Sequence, residues 1–197
     1  MFVLYAVLAG LIVGFLPGGS FAGLAELRIR WGGVILGGLI VQVVLFSAPV
    51  AERVHEFGPL IYVISTGAVL AAVLRNWRIT GLPMVAVGAA SNAAAILANG
   101  GFMPAGADAM RVLGANFPTT YSNSSVVAHP ALVGLTDIFA IPRPLPFANV
   151  FSIGDVIIAV GIAMVLIAAM RERDPQPEGP ASEAPRPTTS TRAIGAS

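Results

Sequence analysis

The sequence predicts an all-α, polytopic membrane protein with about five transmembrane helices and a long structured extracytoplasmic loop. Three observations carry that prediction. Apolar residues fill 56% of the 197 positions and charged residues only 11%, with a mean hydropathy of +0.82, whereas a water-soluble domain needs roughly a quarter of its residues charged. The apolar residues gather into five runs, and the arginines concentrate in alternate connections between them.

The runs are 2–16, 31–48, 59–74, 82–98 and 151–170. Crossing about 30 Å of hydrocarbon takes about 20 helical residues, with about 17 as the lower limit. The first run lacks the basic stretch that precedes a secretion signal, so it reads as a retained first helix. The second and fifth meet the length comfortably. The first, third and fourth are short and must recruit flanking residues or sit in thinned bilayer. The fourth, LPMVAVGAASNAAAILA, is the least apolar and the richest in small residues. Such a helix gains little from lipid and much from close backbone contact, which places it inside the bundle.

Arginine placement sets the orientation. Arg28 and Arg30 follow the first helix, Arg75 and Arg78 the third, and Arg171 and Arg173 the fifth. All six share one side if the spans alternate, while Arg53, Arg111 and Arg143 are spread thinly over the other. The N-terminus is then outside, the C-terminus cytoplasmic, and 99–150 one extracytoplasmic loop. The chain divides into a four-helix transmembrane region (1–98), that loop, the fifth helix (151–170) and a tail (171–197). The tail holds five prolines and few apolar residues, a composition that predicts disorder. Within the loop, ALVGLTDIFAIP is too short to span and suits a re-entrant or interfacial segment.

Composition also excludes. Every basic residue is arginine, which with abundant Ala, Gly and Pro points to a GC-rich bacterial genome. A net charge of +1 argues against a nucleic-acid partner. Without cysteine there are no disulfides or thiolate metal sites. His55 and His129 show no metal-ligand spacing, and ERVHE reads as a surface loop. Neither a metal nor a cofactor is expected.

Several residues stand out as candidates. Gly10-x-x-x-Gly14 and Gly33-x-x-x-Gly37 put small residues on one helical face. Packing within the chain is the first reading, and contact with a second copy or a membrane-protein partner the other. Gln42 and Asn92 place amides within helices, where they must face protein or water. Ser152 and Asp155 form S-x-x-D at the start of the last helix, the pattern of a reciprocal cap. Asp137 lies in the apolar part of the loop and caps a short helix on one reading. On the other, the proline-rich turn folds it back toward Asp155, and two carboxylates held close can act as acid and base. The catalytic candidates are therefore Asp137 and Asp155, and the binding candidates Asn92, Asn99, Asn149 and Ser152.

NGGFMP at 99–104, LGA at 113–115 and LTDIFAIPRPLPFANVFSIGDVIIAVG at 135–161 resemble an uncharacterised bacterial membrane family, domain-of-unknown-function family 5317. That resemblance implies a multi-spanning protein and brings no activity with it. The last helix block is also similar to the lipoprotein signal peptidases, which are intramembrane aspartyl proteases. Asp155 in SIGDVIIAVG and Asp137 in LTDIF look like that family's acidic positions. This chain has Ser152 where the family has asparagine, and SNAAAILANGG holds no acid where the family's other catalytic aspartate stands.

The function expected is binding or assembly at the outer face of the bilayer. The alternative is an aspartyl hydrolase acting through Asp137 and Asp155 on a membrane-embedded substrate. Transport is disfavoured, because no ionisable residue falls in the middle of a predicted helix.

Overall fold

A computed structural model describes residues 2–16, 18–54, 56–114 and 129–171, with Ala48 described by its backbone alone. His55 and the tail from 172 onward lie outside the described residues, and with them the disorder expected of that tail. The helices are α1 (Val3–Phe15), α2 (Ala22–Glu26), α3 (Gly32–Leu45), α4 (Ala48–Val54), α5 (Phe57–Arg75), α6 (Leu82–Ala98), α7 (Ala107–Leu113) and α8 (Ile153–Arg171). A 3-10 turn at Val133–Leu135 and a hairpin of β1 (Phe139–Ile141) and β2 (Asn149–Phe151) complete the described residues.

Five of these helices coincide with the five apolar runs. At about 1.5 Å per residue, the 19 residues of α5 and of α8 reach about 28 Å. These two, with mean hydropathies of 2.0 and 2.5, are long and apolar enough to cross a membrane. The apolar helices α1, α3 and α6 are shorter, at 13, 14 and 17 residues. Their ends have local causes. Gly81 enters α6 at φ +91°, a conformation glycine adopts freely. Pro83 then occupies the first turn, where its missing N–H forfeits no helical bond. The segment with Glu52 and Arg53, expected as a loop, is helical through Val54, with Pro49 in the first turn of α4.

The apolar helices stand in a row: α1 packs on α8, α8 on α6, α6 on α5, and α5 on α3. Gly10 lies against Ala163 and Gly14 against Ile167 and Met170, so α1 and α8 run parallel. Gly81 meets Gly161 and Gly88 meets Gly154, so α6 and α8 run antiparallel. Val73 packs near Leu82, and Tyr62 near Ala95, which makes α5 and α6 antiparallel too. In the α3–α5 pair, Gly38 meets Val69 while the Gln42 amide reaches the Ser65 and Thr66 hydroxyls at 3.3 Å. Direction thus alternates along the chain, and the Ala-rich α6 occupies the middle of the row.

Glycine decides the closest seams. A Cβ on Gly161 would come within 2.8 Å of the Gly81 carbonyl oxygen, and one on Gly88 would overlap that of Gly154. Of the two glycine pairs noted in the sequence, Gly10 and Gly14 face α8 within the chain. No other described residue would stand within 4 Å of a Cβ at Gly33 or Gly37, and Gly38, one residue on, takes the packing position. The outward faces of the row carry large apolar side chains, among them Leu36, Val43, Leu60, Ile64 and Val87.

The hairpin closes over one end of the row. Phe151 of β2 stacks on Phe2 with centroids 4.4 Å apart and on Phe139 of β1 at 5.5 Å. The Tyr5 hydroxyl donates to the Pro146 carbonyl, and its ring meets Phe147 edge-on. The apolar stretch ALVGLTDIFAIP is therefore not one continuous helix. It breaks into the 3-10 turn, a backbone bridge between Asp137 and Ala105, and β1, beyond which Pro142 and Pro144 prevent continuation.

Candidate functional site

Beneath the hairpin, Ser152 and Asp155 form the reciprocal cap that their spacing predicts. The Ser152 Oγ accepts from the Asp155 N–H at 3.1 Å, and the Asp155 Oδ2 accepts from the Ser152 N–H at 3.1 Å. The cap does not stand alone. Asn92 of α6 donates through Nδ2 to the Asp155 Oδ1 at 2.8 Å, and its Oδ1 accepts from the Ser152 hydroxyl at 2.8 Å. Three side chains thus close a ring of hydrogen bonds across the α6–α8 seam. Gly154 makes the approach possible, because a Cβ there would overlap the Asn92 Oδ1.

Asp137 reaches the same place by a different route. It does not cap a helix: the 3-10 turn ends at Thr136, whose Oγ1 donates to the Val133 carbonyl at 2.8 Å. The Asp137 N–H donates to the Pro104 carbonyl at 2.9 Å, and its own carbonyl accepts from the Gly106 N–H at 2.9 Å. This pins Asp137, 5% exposed, onto the FMPAG segment that follows α6. NGGFMP therefore matters as the backbone that fixes Asp137, a role its composition does not announce.

Asp137 and Asp155 line one cavity of about 150 Å³, together with Asn92, Asn149, Tyr62 and Met103. Phe2, Val3 and Val150 supply apolar wall. The Asn149 Nδ2 donates to the Val150 carbonyl at 2.8 Å, while its Oδ1 is buried and has no hydrogen-bond partner among the described residues. Asn99 does not join the cavity. Its Nδ2 donates to the Ala95 and Ala131 carbonyls at 2.7 and 3.0 Å, and its Oδ1 accepts from the Ala131 N–H at 2.8 Å. It ties the end of α6 to the chain entering the 3-10 turn. Of the six candidates named from sequence, Asn92, Asp137, Asn149 and Asp155 line the cavity, Ser152 holds two of these by hydrogen bonds, and Asn99 braces.

Tyr62 and Met103 went unnoticed in the sequence, where an aromatic in an apolar run and a methionine in a loop read as packing. Two carboxylates and two amides line a small space that is more polar than apolar. That chemistry suits a ligand that offers hydrogen-bond donors or positive charge. Among the described residues, no three His, Cys, Asp or Glu side chains stand together as a metal site.

Comparison with known proteins adds one finding. Neither a curated protein nor a solved structure matches the chain. Residues 26–167, well over half of the 197, match the sequence pattern of a family described as of unknown function, DUF5317. The matched stretch contains Asn92, Asp137, Asn149, Ser152 and Asp155, and leaves out α1. The chain belongs to the family of unknown function DUF5317.

Proposed function

We propose that this protein spans a bacterial plasma membrane five times, N-terminus outside, and binds a small ammonium-bearing ligand in the cavity at its outer end. The membrane part of the reading is supported by the outward apolar faces. Soluble monomers rarely expose contiguous apolar patches beyond a few hundred Å², and here whole helices carry them. Alternating helix direction also gathers Arg28, Arg30, Arg75, Arg78 and Arg171 at one end, as cytoplasmic loops do.

The single observation that carries the binding reading is the cavity lined by Asp137, Asp155 and Asn149, whose Oδ1 has no hydrogen-bond partner among the described residues. A buried acceptor without a donor costs about 1–3 kcal/mol, and an ammonium group supplies the donor. At about 150 Å³ the space lies well below the roughly 300 Å³ of drug-sized sites, so the occupant is headgroup-sized. Titrating the full chain in mild detergent with ethanolamine should raise its melting temperature, and Asp137→Asn should shrink the rise. No rise in either protein would sink the reading.

A second reading, an aspartyl hydrolase, draws on the same two carboxylates lining one cavity. Asp155 enters it with one oxygen already accepting from Asn92 and the other from the Ser152 backbone, whereas an acid–base pair needs a carboxylate that can exchange its proton. Binding demands less of the pair than proton exchange does.

A further inference from the structure

We infer that the opposite end of the molecule holds the phosphate of an anionic phospholipid headgroup. Arg28, Arg30, Arg75 and Arg78, with Asn76 and Trp77, line a cavity of about 600 Å³ there. These arginines come from two connections far apart in sequence, and one buried side chain joins them. The Arg30 N–H donates to the Asn76 Oδ1 at 2.8 Å, while the Asn76 Nδ2 donates to the Arg30 and Ala72 carbonyls, both at 2.7 Å. Asn76 is 5% exposed, so this clamp is part of the fold rather than a surface accident. It holds the backbone, and all four arginines are exposed.

The convergence goes unanswered within the described residues. No carboxylate there lies within 4 Å of these four guanidinium groups, and the ion pair found, Arg111 with Asp108, belongs to α7. Glu26 borders a neighbouring cavity of about 270 Å³ with Arg28 and Arg78 without pairing to either. Four like charges held together repel one another, and an anion in the cavity removes that cost. Arginine forks match the oxygens of phosphate, each donating two parallel hydrogen bonds. Trp77, 61% exposed beside them, is the residue type that settles at headgroup depth in a bilayer. Basic pockets between helices at the cytoplasmic surface are where anionic headgroups bind. The tail from 172 onward is a weak competitor, since its four acids are offset by three arginines.

This inference rests on the membrane reading above and not on the acidic cavity. The test reconstitutes the full chain in phosphatidylcholine nanodiscs with and without phosphatidylglycerol, and measures which lipid is retained on extraction. Phosphatidylglycerol should be retained preferentially. Arg28→Gln with Arg75→Gln should weaken that preference about thirtyfold, at about fivefold per surface arginine. Arg53→Gln with Arg143→Gln, away from the cavity, should leave it intact. Equal retention of both lipids by the unaltered chain overturns the inference whether or not any variant folds, as does an unchanged preference in the first double variant. If inorganic phosphate displaces phosphatidylglycerol at equal concentration, the lipid assignment is overturned in favour of a soluble phosphate. A chain that never enters phosphatidylcholine discs overturns the membrane reading itself, whereas insertion without selectivity overturns only this inference.

Discussion

Asn92 and Asp155 meet across the seam between α6 and α8, amide nitrogen 2.8 Å from carboxylate oxygen, and the same amide accepts from Ser152 at 2.8 Å. A helix cap is normally a local matter of four residues. Here its two side chains are also the partners of a residue sixty positions earlier, so the cap and the packing of two helices are one structure.

That union has a measurable consequence. Asn92→Leu takes away the acceptor of the Ser152 hydroxyl proton and the donor to the Asp155 Oδ1, at a cost of about 1–3 kcal/mol. Ser152→Ala alone should cost about 0.5–2 kcal/mol as a lost cap. Because the residues share partners, the double variant should be non-additive, with a coupling of about 0.5–3 kcal/mol. Thermal unfolding in detergent reads all three, and simple additivity would mean the ring does not act as a unit.

The glycines divide by surroundings rather than by motif. Gly154→Ala drives a methyl into Asn92, and Gly161→Ala one toward the Gly81 carbonyl and Val85, so each should destabilise by about 1–3 kcal/mol. Gly37→Ala meets nothing within 4 Å and should stabilise α3 by about 0.4–1 kcal/mol. A destabilised Gly37→Ala protein that also shifts to smaller particles on gel filtration would show instead that this face binds a second copy.

Topology is testable because the chain has no cysteine. Thr80 and Asp108 are exposed at opposite ends of the row. With the N-terminus outside, Asp108→Cys should label with an impermeant thiol reagent in intact cells and Thr80→Cys should not. The reverse pattern would invert the orientation, and labelling of both would remove the alternation.

How far the sequence carries differs between the two ends. The five apolar helices and the Ser152–Asp155 cap are legible because they rest on local signals, run length and a spacing of three. The hairpin was not, because its strands are three residues each and sit in a segment whose apolar run resembles a membrane-facing one. Gly88 and Gly154 escaped a search for glycines four apart, since they meet across two helices rather than along one. Asp137 was named as a partner for Asp155 on the strength of a proline-rich turn. Its position depends instead on the Pro104 and Gly106 backbone, a contact no spacing could reveal.

Asp137 and Asp155 separate binding from hydrolysis. Asp155→Asn retains an acceptor for the Ser152 N–H and should cost about 0.5–2 kcal/mol, as a weakened cap does. Asp137 is anchored by backbone bonds to Pro104 and Gly106 that substitution of its side chain leaves in place, so Asp137→Asn should keep the path of the loop. If the pair only binds, each variant should weaken ethanolamine binding partially, and the double variant should lose more than either alone. If the pair catalyses, either single change should abolish the phenotype that a gene deletion exposes, with the double variant no worse, because removing one member of a catalytic unit already removes the unit. The stability cycle adds an independent reading: sites without shared partners add within about 0.3–0.5 kcal/mol, and carboxylates that repel across the cavity do not. Additive stability effects with function kept in both single variants would eliminate the hydrolase. The commitment of both Asp155 oxygens to Asn92 and Ser152 makes that the expected outcome.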